Sequence, residues 1–198
     1  MPYRRDMGNH YRTLVVPDVT AEEAEGLAAR GLGWLVSEGI VRAGRSEDCV
    51  FFAAYGHLPG PRWSRAAEDP RHEAAGGVAV HVGRTVFHGC TFFCAYAVCP
   101  HCAARTRFFG DDGTAVEGAF DPFAASIRAW ERTGAATADC GTCGRAGDLT
   151  AWEWDEDFFA FGHLGFAFWD WPAPAPGFLA AFARVLGGRR FVQVAGKL

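Results

Sequence analysis

Apolar residues recur along the chain at two periods, and the switches between them predict its elements. Thr13-Leu14-Val15-Val16 has the length and β-branched content of a short strand, which Pro17 ends. Thr20-Ala21-Glu22-Glu23 has the form of a capping box, in which the Thr20 hydroxyl accepts from the Glu23 N–H and the Glu23 carboxylate reaches back. Ala24, Leu27, Ala28, Leu32, Leu35 and Val36 then recur at helical spacing before Gly39, predicting an amphipathic helix over about 21–38 with its apolar face on a sheet. The run Cys49 to Tyr55 has strand length, and the Gly- and Pro-rich segment Gly56 to Pro61 reads as a loop. Val78 to Val82 and Thr85 to His88 flank Gly83-Arg84, a pattern that fits a hairpin.

Thr91 to Val98 reads as a strand running into Cys99, and Ala103 to Phe109 as its antiparallel return. Asp121-Pro122 predicts the start of a second helix, with Asp121 as N-cap and Gly134 as its end. Leu149 to Trp154 reads as another strand, and a helix over 178–186 and a strand over 190–194 finish the chain. The fold class is α+β, with a mixed or antiparallel sheet and two to three helices. At 198 residues the chain suits a single domain spanning 1–198.

Two Cys-x-x-Cys pairs, Cys99/Cys102 and Cys140/Cys143, change this picture most. The two-residue gap lets both sulfurs of a pair face one metal, and two such knuckles make a tetrahedral four-cysteine site for one structural Zn2+ per chain. Thirty-seven residues separate Cys102 from Cys140, more than a compact ribbon needs, and the helix after Asp121 accounts for the excess as an insertion. The embedded zinc ribbon then spans about 91–154. A redox pair needs Cys-x-x-Cys at a helix N-terminus, whereas Gly144 and Gly147 oppose a helix after Cys143 and a strand follows Cys102. Cys49, Cys90 and Cys94 read as small buried hydrophobes. His88 and His101 are near enough in sequence to leave open a contribution to metal binding.

Composition narrows the function classes. The net charge of −4, with Arg dispersed and a single Lys, opposes a nucleic-acid partner. The Arg-, Ala- and Gly-rich bias fits a GC-rich bacterial genome. No apolar run reaches the length of a membrane span, and the N-terminal residues lack a signal-peptide core, so a cytoplasmic location is expected, where thiols bind metal. No phosphate-binding loop, nucleophile elbow, His-Glu-x-x-His or dinucleotide fingerprint occurs. Four thiolate ligands also leave no open position for a metal-activated water.

From Ala146 to Ala183 the chain carries six acids, no Lys or Arg, and nine Trp or Phe before the third helix. Trp152 and Trp154 share one strand face, as Trp169 and Trp171 do. One reading is an aromatic core with an acidic outer face. The other makes these four tryptophans anchors for a basic protein partner.

Leu164-Gly165-Phe166-x-Phe168-Trp169-x-Trp171-Pro172, the terminal Gly196-Lys197-Leu198, Leu14-Val15-Val16-Pro17 and the Cys-Pro-x-Cys and Cys-Gly-x-Cys pairs together resemble a family of uncharacterised bacterial zinc-ribbon-containing proteins. Some members are labelled sugar ABC transporter ATPases, a label this phosphate-loop-free sequence does not support. The resemblance implies a shared fold and a zinc ribbon, with no activity to carry over. The expectation is thus a non-enzymatic cytosolic zinc-binding protein that binds a protein partner, toxin-neutralising (immunity-like) or adaptor. One alternative is an enzyme with a pocket between sheet and ribbon, using His57, His81, His163 and the acids near Asp155. Another is a nucleic-acid-associated zinc-ribbon protein, which the acidic C-terminal third opposes.

Overall fold

The computed structural model describes residues 10–47, 55–89 and 94–197. Among these residues three helices and eleven strands form an α+β fold in which every strand pairing is antiparallel. The elements are β1 (His10–Val15), α1 (Ala21–Ser37), β2 (Val41–Ser46), β3 (Gly56–Pro59), β4 (Val78–His88), β5 (Tyr96–Val98) and β6 (Arg105–Arg107). They continue with α2 (Asp121–Thr133), β7 (Thr137–Asp139), β8 (Ala146–Asp148), β9 (Glu153–Trp154), β10 (Phe159–Trp169), α3 (Pro176–Val185) and β11 (Val192–Lys197). Six strands make the main sheet in the order β11-β1-β10-β4-β3-β2. Two smaller sheets, β6-β5-β9 and β7-β8, carry the cysteine knuckles.

The capping box forms as the sequence predicts: Glu23 N–H donates to Thr20 Oγ1 at 3.3 Å and Thr20 N–H to Glu23 Oε2 at 3.1 Å. The buried stripe of α1, Ala24, Leu27, Ala28, Gly31 and Leu35, has helical spacing. It joins α3 and the cross-strand set Leu14, Phe166 and Val80 in the main core. The sequence neighbours Val15 and Ala167 belong to separate small clusters, so alternate strand residues serve opposite faces of the sheet. Phe166, Phe182, Leu14 and Leu164 are fully buried, each contributing about 1.5–3 kcal/mol of apolar transfer.

Several expectations are corrected. Gly83-Arg84 makes no hairpin; β4 runs through it as one strand of 11 residues. Thr85 pairs with Gly162 and Val82 with Leu164, so Gly83 and Arg84 together oppose His163 alone. This is a β-bulge, with Gly83 supplying a φ of 110°. Gly56–Pro59 is a strand, not a loop, because its backbone completes ladders to β2 and β4. The expected strand Leu149 to Trp154 begins as a single 3₁₀ turn, Leu149–Ala151, and only Glu153–Trp154 pairs. The central strand β10 escapes a period-2 reading because all its residues from Ala160 to Phe168 except His163 are buried. Phe120 rather than Asp121 caps α2, while Gly134 ends it at a φ of 81°. The strand expected over Cys49 to Tyr55 and the start of the one from Thr91 lie outside the described residues. No helix among the described residues is long and apolar enough to cross a membrane.

Glycine within α1 gives a test of this packing. A Cβ on Gly31 would sit 2.7 Å from Phe166 Cζ, whereas Gly26 and Gly33 are exposed with nothing within 4 Å. Gly33→Ala is expected to raise Tm, through about 0.5–1 kcal/mol of helix propensity. Gly31→Ala should lower it, because overpacking costs about 1–3 kcal/mol. Thermal melts of the two variants that moved in the same direction would contradict this placement of α1.

Candidate metal centre

The two knuckles repeat one backbone design. One offset along the chain relates Cys99 to Cys140, Cys102 to Cys143, Ala103 to Gly144, and β5 and β6 to β7 and β8. In the first knuckle Cys99 N–H donates to Ala104 O at 2.9 Å and Ala103 N–H to Cys99 O at 3.0 Å. In the second Cys140 N–H donates to Arg145 O at 3.0 Å and Gly144 N–H to Cys140 O at 2.8 Å. The residue after each second cysteine is left-handed, Ala103 at a φ of 58° and Gly144 at 69°. That turn reverses the chain into the returning strand and leaves the intervening N–H groups aimed at sulfur. His101 N–H donates to Cys99 Sγ at 3.4 Å.

The structure brings the four predicted ligands together. Their sulfur atoms all lie within 4.8 Å of one another. Cys99 Sγ is 4.0 Å from Cys143 Sγ, and Cys102 Sγ is 3.7 Å from Cys140 Sγ. Metal–sulfur bonds of about 2.3 Å in a tetrahedron place sulfurs about 3.8 Å apart, so the donor set fits one four-coordinate ion. Cys99 and Cys140 are buried, Cys143 half-buried and Cys102 exposed, which puts the centre at the surface.

The sulfurs also differ electrostatically. The Cys143 and Thr142 N–H groups favour the Cys140 thiolate and draw its pKa down to about 6. At Cys102 the Ala104 N–H acts the same way. Desolvation and the neighbouring Cys143, Cys99 and Cys140 sulfurs outweigh it and push the pKa up to about 12. The Cys140 thiolate is favoured and the Cys102 thiolate opposed; a divalent cation among the sulfurs would remove that opposition.

His101 is not a ligand: its Nε2 sits 3.0 Å from the Ala146 carbonyl and ties the first knuckle to β8. Cys94 is buried outside the set, its thiol bonding Tyr96 O at 3.4 Å, and burial raises its pKa to about 11. Cys49 and Cys90 lie outside the described residues. A side chain at Gly147 would meet Pro100 at 2.9 Å, so the second knuckle's return strand needs glycine where the first knuckle packs on it.

Behind the knuckles lies the aromatic core of the ribbon. Phe108, Phe123, Trp130, Trp152, Trp154 and Phe161 share one buried cluster. Trp152 is 3% and Trp154 7% exposed, which corrects their placement as partner anchors. They do share a face, and it is the inner one: Trp152 meets Phe123 edge-on at 4.9 Å and Trp154 meets Phe159 at 4.8 Å. Trp169 and Trp171 are half-buried, and Asp170 between them is left-handed at a φ of 50°, so strand alternation does not extend through the pair. Trp171 donates to Gly76 O at 2.9 Å and packs on the main core. The acids take the outer side, with Asp148, Glu153, Glu156 and Asp157 exposed.

The three histidines considered for catalysis do not converge. His57 Nδ1 is 3.0 Å from Arg42 O, and His81 lies edge-on to Phe87, with burial lowering its pKa. His163 alone lines a cleft of ≈ 670 Å³ between sheet and ribbon, where Asp18, Glu153, Asp157 and Arg190 also sit. Asp155 instead accepts from Ala95 N–H at 3.1 Å. Sequence reasoning missed Asp18 and Arg190, which are remote in the chain and meet only through the fold. Comparison with known proteins finds no matching family model, no matching curated protein and no matching solved structure.

Membership of the metal set is directly testable. Cys102→Ser and Cys140→Ser should each lose the bound ion, read as colorimetric metal release from purified protein, while Cys94→Ser keeps it. Retention in both ligand variants would refute the assignment.

Proposed function

We propose that Cys99, Cys102, Cys140 and Cys143 hold one structural Zn2+ per chain, and that the protein is non-enzymatic and acts by binding a protein partner. The four-sulfur cluster is the observation that carries this reading. An all-thiolate set suits zinc, fills its coordination sphere and leaves no site for a reacting water. When bound, the ion supplies charge neutralisation and a cross-link between the knuckles, with no part in a reaction.

The partner reading now rests on charge. Asp148, Glu153, Glu156 and Asp157 are exposed acids within ten residues of one another in the chain, and Glu153 and Asp157 also line the cleft, a concentration of negative charge suited to a basic protein. A toxin-neutralising (immunity-like) or adaptor role in the cytoplasm, within the bacterial zinc-ribbon family that the motifs resemble, is the version we put forward. The cleft favours a second reading, small-molecule binding between sheet and ribbon.

Mass spectrometry of protein purified without added metal should find one zinc per chain; absence of zinc, or another metal in its place, would remove the first half of the proposal. For the second half, the chain should co-purify with a basic product of a neighbouring gene when the two are co-expressed. Reversing Glu153, Glu156 and Asp157 to lysine should cut that recovery at least about tenfold. Recovery unchanged by charge reversal would place the partner elsewhere or dispense with it.

A further inference from the structure

Two tryptophans of the ribbon core carry a donor that nothing accepts. Trp152 and Trp154 are 3% and 7% exposed, and among the described residues the Nε1 atom of each is closed to solvent and has no hydrogen-bond partner. A buried donor without an acceptor costs stability, so an orphan in a well-packed core points to a partner that arrives with something else.

The two indoles differ in what lies at the donor. A Cβ on Gly147 would stand 3.1 Å from Trp152 Nε1 and 2.9 Å from Pro100 Cγ. The Trp152 N–H group therefore sits between the return strand of the second knuckle and the turn of the first, where the two knuckles meet. Trp152 also lines the cleft, but Gly147 and Pro100 do not, so its donor lies on the knuckle side of the ring. Trp154, by contrast, packs among Phe108, Phe123, Phe159 and Phe161.

The acceptors at this junction narrow the choice of partner. The carbonyls of Cys99, Ala104, Cys140 and Arg145 each already accept a backbone N–H of their own knuckle, and Ala146 O is faced by His101 Nε2. The sulfurs remain. Cys99 and Cys140 are both 2% exposed and belong to the same buried cluster as Trp152. As thiols they accept weakly, whereas thiolates grouped around one divalent ion keep a net negative charge and accept strongly. His101 N–H already donates to Cys99 Sγ at 3.4 Å, which shows the same chemistry from the backbone.

We propose that Trp152 is a positioning residue for the metal centre, its indole N–H donating to the buried thiolates Cys99 and Cys140 when they hold the ion. This deepens the four-sulfur metal reading and rests on it. The bond gives the orphaned donor its acceptor on loading, and it ties the buried sulfurs to the aromatic core behind them.

The test uses the full chain loaded with Zn2+ or Co2+. It compares Trp152→Phe with Trp154→Phe, which removes the same N–H from the same cluster at a site away from the knuckles. Both variants should retain one ion per chain. Competition with a chelator should show Zn2+ held about tenfold or more weakly by Trp152→Phe, with Trp154→Phe close to the unsubstituted protein. With Co2+ the thiolate-to-metal charge-transfer band should move to lower energy in Trp152→Phe alone, because losing a hydrogen bond raises the sulfur lone pairs. Should Trp152→Phe fail to fold, β-(3-benzothienyl)alanine at position 152 keeps the ring shape without the N–H, and the same two readouts decide. Equal Zn2+ affinity in the two variants, or an unmoved charge-transfer band, would overturn the role of Trp152 and leave the metal reading standing. An unsubstituted protein that binds no Zn2+ would overturn both.

Discussion

Four sulfur atoms held within 4.8 Å of one another are a constraint on everything built around them. Backbone N–H groups settle the Cys140 thiolate, through the Cys143 and Thr142 amides, whereas desolvation and the neighbouring sulfurs oppose charge at Cys102. The rise at Cys102 shows where that opposition ends up. This spacing suits a set of ligands for one ion better than four independent thiols. Neither two-stranded turn has enough apolar surface to hold itself in place. β7 and β8 pair over three residues each, and the buried cysteines Cys99 and Cys140 are part of the same cluster as the aromatic rings. The centre thus closes the outer end of a core whose inner end is the main sheet.

That inner end runs through one strand. In β10 Phe161 belongs to the ribbon core, while Leu164, Phe166 and Phe168 belong to the core under α1 and α3. The bulge at Gly83 and Arg84 lies at the changeover. It also directs Arg84, whose guanidinium donates to Arg132 O at 2.8 Å at the C-terminal end of α2, where a cation suits the helix dipole. A Cβ on Gly134 would approach that guanidinium within 3.0 Å, so the helix end is glycine for two reasons, its left-handed φ and its close neighbour. The inserted helix is tied to the sheet by Arg84 and to the second knuckle by Ser126, which donates to Thr137 O at 2.7 Å.

What could be read from the sequence follows from how local each determinant is. The knuckles were legible because ligand chemistry fixes their spacing whatever surrounds them. The start of α1 was legible because a capping box closes within four residues. The course of β10 was not: buried on both faces, it shows neither period, and only its neighbours in the sheet identify it as a strand. Gly83-Arg84 has the local marks of a turn, and what makes it a bulge is a partner strand much later in the chain. The tryptophans give the sharpest case. Alternation places Trp152 and Trp154 on a common face but does not say whether that face looks inward, and Phe123 and Phe159 decide it from the far sides of the core.

The cleft takes its walls from both the main sheet and the ribbon. Two of its walls, Pro17 to Ala21 and Phe159 to His163, belong to the main sheet and the start of α1. Its third wall, Thr150 to Trp154, is the chain leaving the second knuckle through β8 and the 3₁₀ turn before pairing as β9 with β5, the strand that enters the first knuckle. The position of that wall is set by where the two knuckles meet. Packing of the aromatic core and the hydrogen bonds of Arg84 and Ser126 hold that ribbon against the sheet. A four-coordinate ion at the sulfurs would add a further constraint, since its bond lengths and angles are fixed. An ion held there would therefore help to set the width of the cleft from the far side of the ribbon, through bond geometry at four sulfurs as well as through the residues that line it.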